Sequence, residues 1–225
     1  MRIGVPKEIK LQEHRIGLTP ESVKILTSKG HEVLVENNGG FEAGFTNEDY
    51  KNAGAKIENK ASEIFNNSDL IVKVKEPQVN EVGMIRENQI IYTYLHLAAA
   101  KELTEGLIKS KSICIAYETV TDDNGRLPLL APMSAVAGRM SIQAGAHSLE
   151  KNQHGRGLLL GGAPGVESAN VVILGGGVVG ENAALIATGM KANVFIIDKS
   201  PERLSQLKKI FGDKIKTVQS NKEEL

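Results

Sequence analysis

Short apolar runs alternate with stretches of helical spacing through the first 118 residues. The runs at 2–5, 32–36, 70–75, 90–95 and 113–117 are mostly continuous, as strands buried on both faces of a parallel sheet require. Between them the spacing predicts helices. One starts at Pro20 behind the N-cap Thr19, carries Val23, Ile25 and Leu26 as its apolar positions, and stops at Gly30. Others are predicted over 47–53, 61–66, 79–84 and 101–110. Such alternation predicts a doubly wound α/β domain.

The rhythm breaks over 122–132, where turn-forming residues cluster. This stretch is read as the crossover between two domains, 1–130 and 131–225. One long helix rich in small residues is predicted over 133–153, with Ser134 at its N-terminal end, where a serine caps a helix or binds an anion. A glycine-rich connection at 155–165 leads into strand 170–174, helix 178–190, strand 194–198, helix 201–211 and strand 215–219. That is the first half of a Rossmann dinucleotide-binding fold, which is built from two such halves. The second domain is therefore expected to be partial, and the 225 residues alone are not expected to be fully active.

The most informative motif is Val171-Val172-Ile173-Leu174-Gly175-Gly176-Gly177-Val178-Val179-Gly180. An apolar strand empties into a GxGxxG turn and then a helix. Gly175 suits the tight turn, Gly177 lets the backbone approach a pyrophosphate, and Gly180 permits close helix–strand packing. Helical N–H groups next to the turn attract the anion. The following strand ends in Asp198, whose carboxylate suits a ribose diol and repels a 2′-phosphate, so the expected cofactor is NAD. Lys199 and Arg203 lie close by in the sequence and weaken that preference.

Charge narrows the partners. Lysine plus arginine number 27 and aspartate plus glutamate 27, which gives no electrostatic reason to expect nucleic acid or an anionic membrane and favours a small-molecule substrate. Cys114, the single cysteine, reads as a small packed hydrophobe. The N-terminus lacks a signal-peptide pattern, and no apolar run reaches the roughly 18 residues of a membrane span. A cytoplasmic location is expected.

Three side chains stand out as chemistry. Arg15 lies in a polar loop after the first strand, Lys75 ends one central strand, and His96 ends the next. Carboxyl ends of parallel strands form the ligand crevice of an open α/β sheet, so Lys75 and His96 are expected to face one cleft. Arg15 offers a two-pronged donor to a carboxylate, Lys75 a compact charge to polarise a carbonyl, and His96 an imidazole for proton transfer at neutral pH. Each also has an ordinary reading: a solvated loop cation, a lysine where a strand meets water, a core histidine. Glu118 either orients one of these cations or makes a structural ion pair, and Tyr94 reads as core. His14, His31, His147 and His154 show no metal-ligand spacing, and no metal site is expected.

Several motifs together carry a resemblance. Met1-Arg-Ile-Gly-Val-Pro-Lys-Glu8, Glu13-His-Arg15 with Thr19-Pro20, Val72-Lys-Val-Lys75-Glu76-Pro77, Tyr92-Thr-Tyr-Leu-His96-Leu97, Ala131-Pro-Met-Ser134 and the glycine run resemble the bacterial alanine dehydrogenase family throughout the chain. The resemblance implies reversible oxidative deamination of L-alanine to pyruvate and ammonium, with hydride passing to NAD. It implies Arg15 and Lys75 as substrate ligands, His96 as the catalytic acid–base residue, and Ser134, Val178, Val179, Asp198, Arg203 and Ser220 as NAD contacts. It also implies a homo-oligomer, typically a hexamer, for which helix 133–153 is a plausible interface. Family members continue well beyond this length and supply a second catalytic group, an aspartate. Two other readings stay open: the nucleotide-binding subunit of a proton-translocating transhydrogenase, and a non-catalytic NAD-binding fragment.

Overall fold

The computed structural model describes residues 1–220. Two compact units divide the chain after Leu127. The first is built from β1 (Arg2–Val5), α1 (Pro20–Ser28), β2 (Glu32–Glu36), α2 (Asn47–Asn52), β3 (Lys56–Glu58), α3 (Ala61–Asn67), β4 (Leu70–Val72), α4 (Val79–Val82), β5 (Ile90–Thr93), α5 (Lys101–Ser110) and β6 (Ile113–Ala116). Its six strands lie in the order β3-β2-β1-β4-β5-β6, every pair parallel. This is the doubly wound order, and its direction reverses between β1 and β4.

The period-2 geometry of the strands sorts their side chains into two cores. Val33, Val35 and Val72 pack with Ile3, Val5, Val23 and Tyr50 on one face. Leu34 and Ile71 pack with Ile64, Phe65, Ile91 and Leu107 on the other. Because both faces are covered, the strands read as unbroken apolar runs. Thr19 caps α1 by accepting from the Ser22 amide, and Gly30 follows the helix at φ +82°.

Three expectations need correction. The strands predicted to reach Lys75, Leu95 and Tyr117 stop at Val72, Thr93 and Ala116, and the residues beyond them form the loops on which the site is built. β3 was not expected, since its only apolar residue is Ile57; it is a short charged edge strand paired to β2. The long helix of the second unit ends at Ser148, because Glu150 turns extended before a separate 3-10 turn at Lys151–Gln153.

The second unit contains that helix, α6 (Ala131–Ser148), then β7 (Asn170–Leu174), α7 (Val178–Gly189), β8 (Asn193–Asp198), α8 (Pro201–Phe211) and β9 (Ile215–Gln219). The sheet order is β7-β8-β9, again parallel. The small residues of α6 let it lie close against α7. A Cβ built on Gly138 would fall 2.2 Å from the Val179 carbonyl oxygen. Gly138→Val is therefore expected to push the helices apart at a cost of about 1–3 kcal/mol, read as faster amide exchange in α7 and β7.

Candidate active site

At the reversal between β1 and β4 a lysine is completely buried. Lys73 Nζ lies 2.7 Å from Glu81 Oε1 and 3.2 Å from Glu8 Oε2, and none of its side chain is exposed. The other oxygen of Glu8 accepts from the amides of Val74, at 2.6 Å, and Lys75, at 3.3 Å. Glu81 also accepts from the Gln78 amide at 2.7 Å. Burial raises the Glu8 carboxyl above its ordinary range, against the attraction of Lys73. The loop after β1 thus grips the loop after β4 from within the protein and fixes the backbone that presents Lys75.

Above this triad Arg15 makes a two-pronged contact with Glu13, Nε to Oε1 at 2.8 Å and Nη2 to Oε2 at 2.6 Å. Hydrogen bonding from Arg15 lowers the Glu13 carboxyl to about 2, and the charge of Lys75 adds to the effect. Glu13 therefore brings Arg15 and Lys75 into one electrostatic neighbourhood. The arginine fork already holds a carboxylate, and a substrate carboxylate has to share or displace it.

His96 occupies the turn after β5 at φ +51°, a left-handed conformation unusual for a residue with a Cβ. Glu118, just past β6, accounts for it. Its carboxylate accepts from the His96 amide at 2.7 Å and the Leu95 amide at 3.1 Å. Burial opposes ionisation of Glu118, but these backbone donors outweigh it and hold the carboxyl below its ordinary range. Of the two readings of Glu118 the orienting one takes a main-chain form: the carboxylate holds His96 by accepting from its amide and that of Leu95, rather than by pairing with a side-chain cation. The ring of His96 is about half exposed, with Nδ1 3.2 Å from Glu76 Oε2 and the ring of Tyr94 stacked at 6.2 Å. Tyr94 is buried and meets Tyr117 edge-on at 4.8 Å, as its core reading expected.

In the second unit the glycine turn has the form of a phosphate cradle. Gly175 sits at φ +94°, closed to other residues without strain. A Cβ on Gly180 would lie 1.9 Å from the Gly175 carbonyl oxygen, while a Cβ on Gly177 would meet nothing within 4 Å. The exposed Val178 and Val179 open α7, whose first N–H groups have no helical partner and suit an anion. These residues fit a dinucleotide. Asp198 ends β8 and accepts from the amides of Gly176, at 2.6 Å, and Ser200, at 2.8 Å. Arg203 donates to the Gly176 carbonyl at 2.6 Å and pairs with Glu181, so its charge is committed to the loop. Ser220 follows β9, its amide 2.9 Å from the Asp198 carbonyl oxygen.

The family model described as alanine dehydrogenase/PNT, N-terminal domain, matches residues 4–137, and that of the C-terminal domain matches 141–225. The chain belongs to the alanine dehydrogenase/PNT family. It is 52% identical to an alanine dehydrogenase of Halomonas elongata over all of this chain and 61% of that relative. A solved L-alanine dehydrogenase superposes with a TM-score of 0.91 at 51% identity, covering all of this chain and 62% of the other. A transhydrogenase from Sinorhizobium meliloti shares the fold, with a TM-score of 0.80 at 23% identity over 63% of its length. The chain spans about 60% of the length of the alanine dehydrogenases it matches.

The fold narrows one expectation for this family member. Ser134 lies in the first turn of α6, which begins at Ala131, and its amide is bonded to the Leu130 carbonyl oxygen at 3.1 Å, so the N-cap reading fails and an anion would meet its hydroxyl rather than its N–H. Sequence reading missed Glu8, Lys73, Glu76 and Glu81. The available signal was Lys73 inside the apolar run Ile71-Val72-Lys73-Val74, where a charge demands a buried partner. Among the described residues no group of three His, Cys, Asp or Glu side chains could hold a metal ion.

Lys73→Met is expected to leave two buried carboxylates without their cation and to cost about 3–5 kcal/mol, read from urea unfolding of the first unit. Glu118→Gln is expected to destabilise the same unit at neutral pH. Because the Glu118 carboxyl is lowered in the fold, its contribution is present above the unfolded value of about 4.3 and lost as pH falls through the folded one. The gap in urea midpoint between parent and variant should therefore close in acid.

Proposed function

We propose that the chain carries the substrate-binding unit and the pyrophosphate-binding turn of an NAD-dependent alanine dehydrogenase. The observation that supports this reading is that Arg15 and Lys75 act on one carboxylate, Glu13, in the loops after β1 and β4, while Arg15 and the His96 ring both neighbour Tyr94 after β5. The 51–52% identity to alanine dehydrogenases supports the substrate. Arg15 takes the alanine or pyruvate carboxylate in a fork geometry, and Lys75 polarises the oxygen that becomes the ketone.

Bound NAD supplies the hydride acceptor for the substrate Cα. Water must then add to the resulting iminium carbon, and His96 takes its proton and returns one as ammonium leaves. Gly175, Gly177, Val178, Val179 and Gly180 hold the pyrophosphate, with Ser134 and Ser220 as further contacts. Asp198 receives the ribose diol, and the commitment of Arg203 to Gly176 and Glu181 leaves little positive charge for a 2′-phosphate. A homo-oligomer, hexameric as in the family, and a cytoplasmic location belong to the same reading. No helix among the described residues is long and apolar enough to cross a membrane.

In a version carried to the length of the family's enzymes, His96→Ala is expected to lower kcat for alanine deamination by about 10²–10⁴-fold with NAD affinity, measured by calorimetry, unchanged. Lys75→Ala should instead abolish pyruvate binding. Unaltered turnover in the His96 variant would return that histidine to a structural role.

A further inference from the structure

The two ring nitrogens of His96 are not equivalent in this fold. On one side Nδ1 faces Glu76 Oε2 at 3.2 Å, while the second Glu76 oxygen is paired to Lys10 from the loop after β1. The Glu76 side chain is only 14% exposed, and its neighbour Gln78 donates to the Glu76 carbonyl at 2.8 Å, which fixes the segment carrying it. The main chain of His96 is held separately by Glu118 from beyond β6. Tyr94 stacks on the ring. Backbone, ring plane and one nitrogen are thus each constrained by a different element, and among the described residues Nε2 is the ring atom left without such an anchor.

We propose that Glu76 is a positioning residue that selects the tautomer of His96, keeping the proton of the neutral imidazole on Nδ1 so that Nε2 presents its lone pair to the reaction. An ionised carboxylate can only accept, so the nitrogen facing it must donate. Glu76 is ionised at neutral pH: burial opposes this, but Lys10, a backbone N–H and His96 itself hold its carboxyl below the ordinary range. The logic is that of a carboxylate behind a catalytic histidine, where loss of the orienting group leaves the base in the wrong tautomer. Lys10 completes the arrangement by keeping Glu76 turned toward the ring rather than toward solvent. The kinetic consequence rests on the acid–base role proposed for His96, whereas the tautomer is a property of the protein without substrate.

The test is nitrogen–proton correlation spectroscopy on the intact protein labelled with ¹⁵N-histidine, without substrate, above the titration of the ring. The expected result is Nδ1 protonated and Nε2 unprotonated for His96. Glu76→Ala should release the preference for the Nδ1-protonated form, and Glu76→Gln, whose amide oxygen stays on Lys10 so that its N–H faces Nδ1, should drive the ring to the Nε2-protonated form. With saturating NAD, Glu76→Ala and Glu76→Gln should each lower kcat at least about tenfold while KM for alanine moves little. An Nε2-protonated ring in the parent, or a tautomer that does not respond in Glu76→Ala, overturns the proposal. A tautomer that responds while kcat does not would leave Glu76 as the orienting group and overturn the acid–base role of His96 instead.

Discussion

A lysine with no exposed surface, held by two carboxylates where the sheet reverses direction, is the interaction on which the first unit's chemistry depends. Burying three charges is costly, and an apolar cluster of equal volume would be at least as stable. What ions add here is direction. Lys73 fixes the orientation of Glu8, and Glu8 in turn binds the amides of Val74 and Lys75. A packed leucine would fill the space without saying where the next two peptide planes must point. Lys75 is thus placed by a charge network beneath it.

The same device recurs one strand further along. Glu118 binds the amides of Leu95 and His96 and stabilises a left-handed residue that β5 could not otherwise deliver. Acidic side chains just past strand ends act as local staples for the neighbouring loop: Glu8 on the loop after β4, Glu118 on the turn after β5. Asp198 does the equivalent in the second unit, where its carboxylate ties the glycine turn to the residue opening α8. In the proposed NAD complex a ribose diol would use the lone pairs those amides leave, which would couple turn geometry to nucleotide recognition through one side chain.

Legibility from sequence followed the same physics. Continuous apolar runs located β1 and β2 at their observed limits, because strands buried on both faces leave a strong local signal. Glycine spacing located β7, α7 and β8 to within one residue for a different reason, because the turn needs glycines at fixed places between strand and helix. What could not be read was long-range. β3 has a single apolar residue and owes its strand form to pairing with β2. Lys73 looked like part of a strand end because its partners lie 65 and 8 residues away. Arg15 was legible as a cation near the crevice, but not that Glu13 already occupies its fork. The α6 start was misplaced because Leu130 caps it without a side-chain hydrogen bond.

The doubly wound order carries a consequence for how the chain comes into being. β1 sits at the middle of the sheet, yet the neighbour on its far side is β4, and the clasp between them joins residues 66 apart. At ribosomal speeds of about 5–20 residues per second, that separation corresponds to roughly 3–13 s of synthesis. Through that interval the central strand has a partner on one flank only, and its other flank is a bare edge able to pair with a passing chain. Closure then takes place around a lysine and two glutamates that must shed their water together, so the most protected spot in the finished unit is among the last to dry.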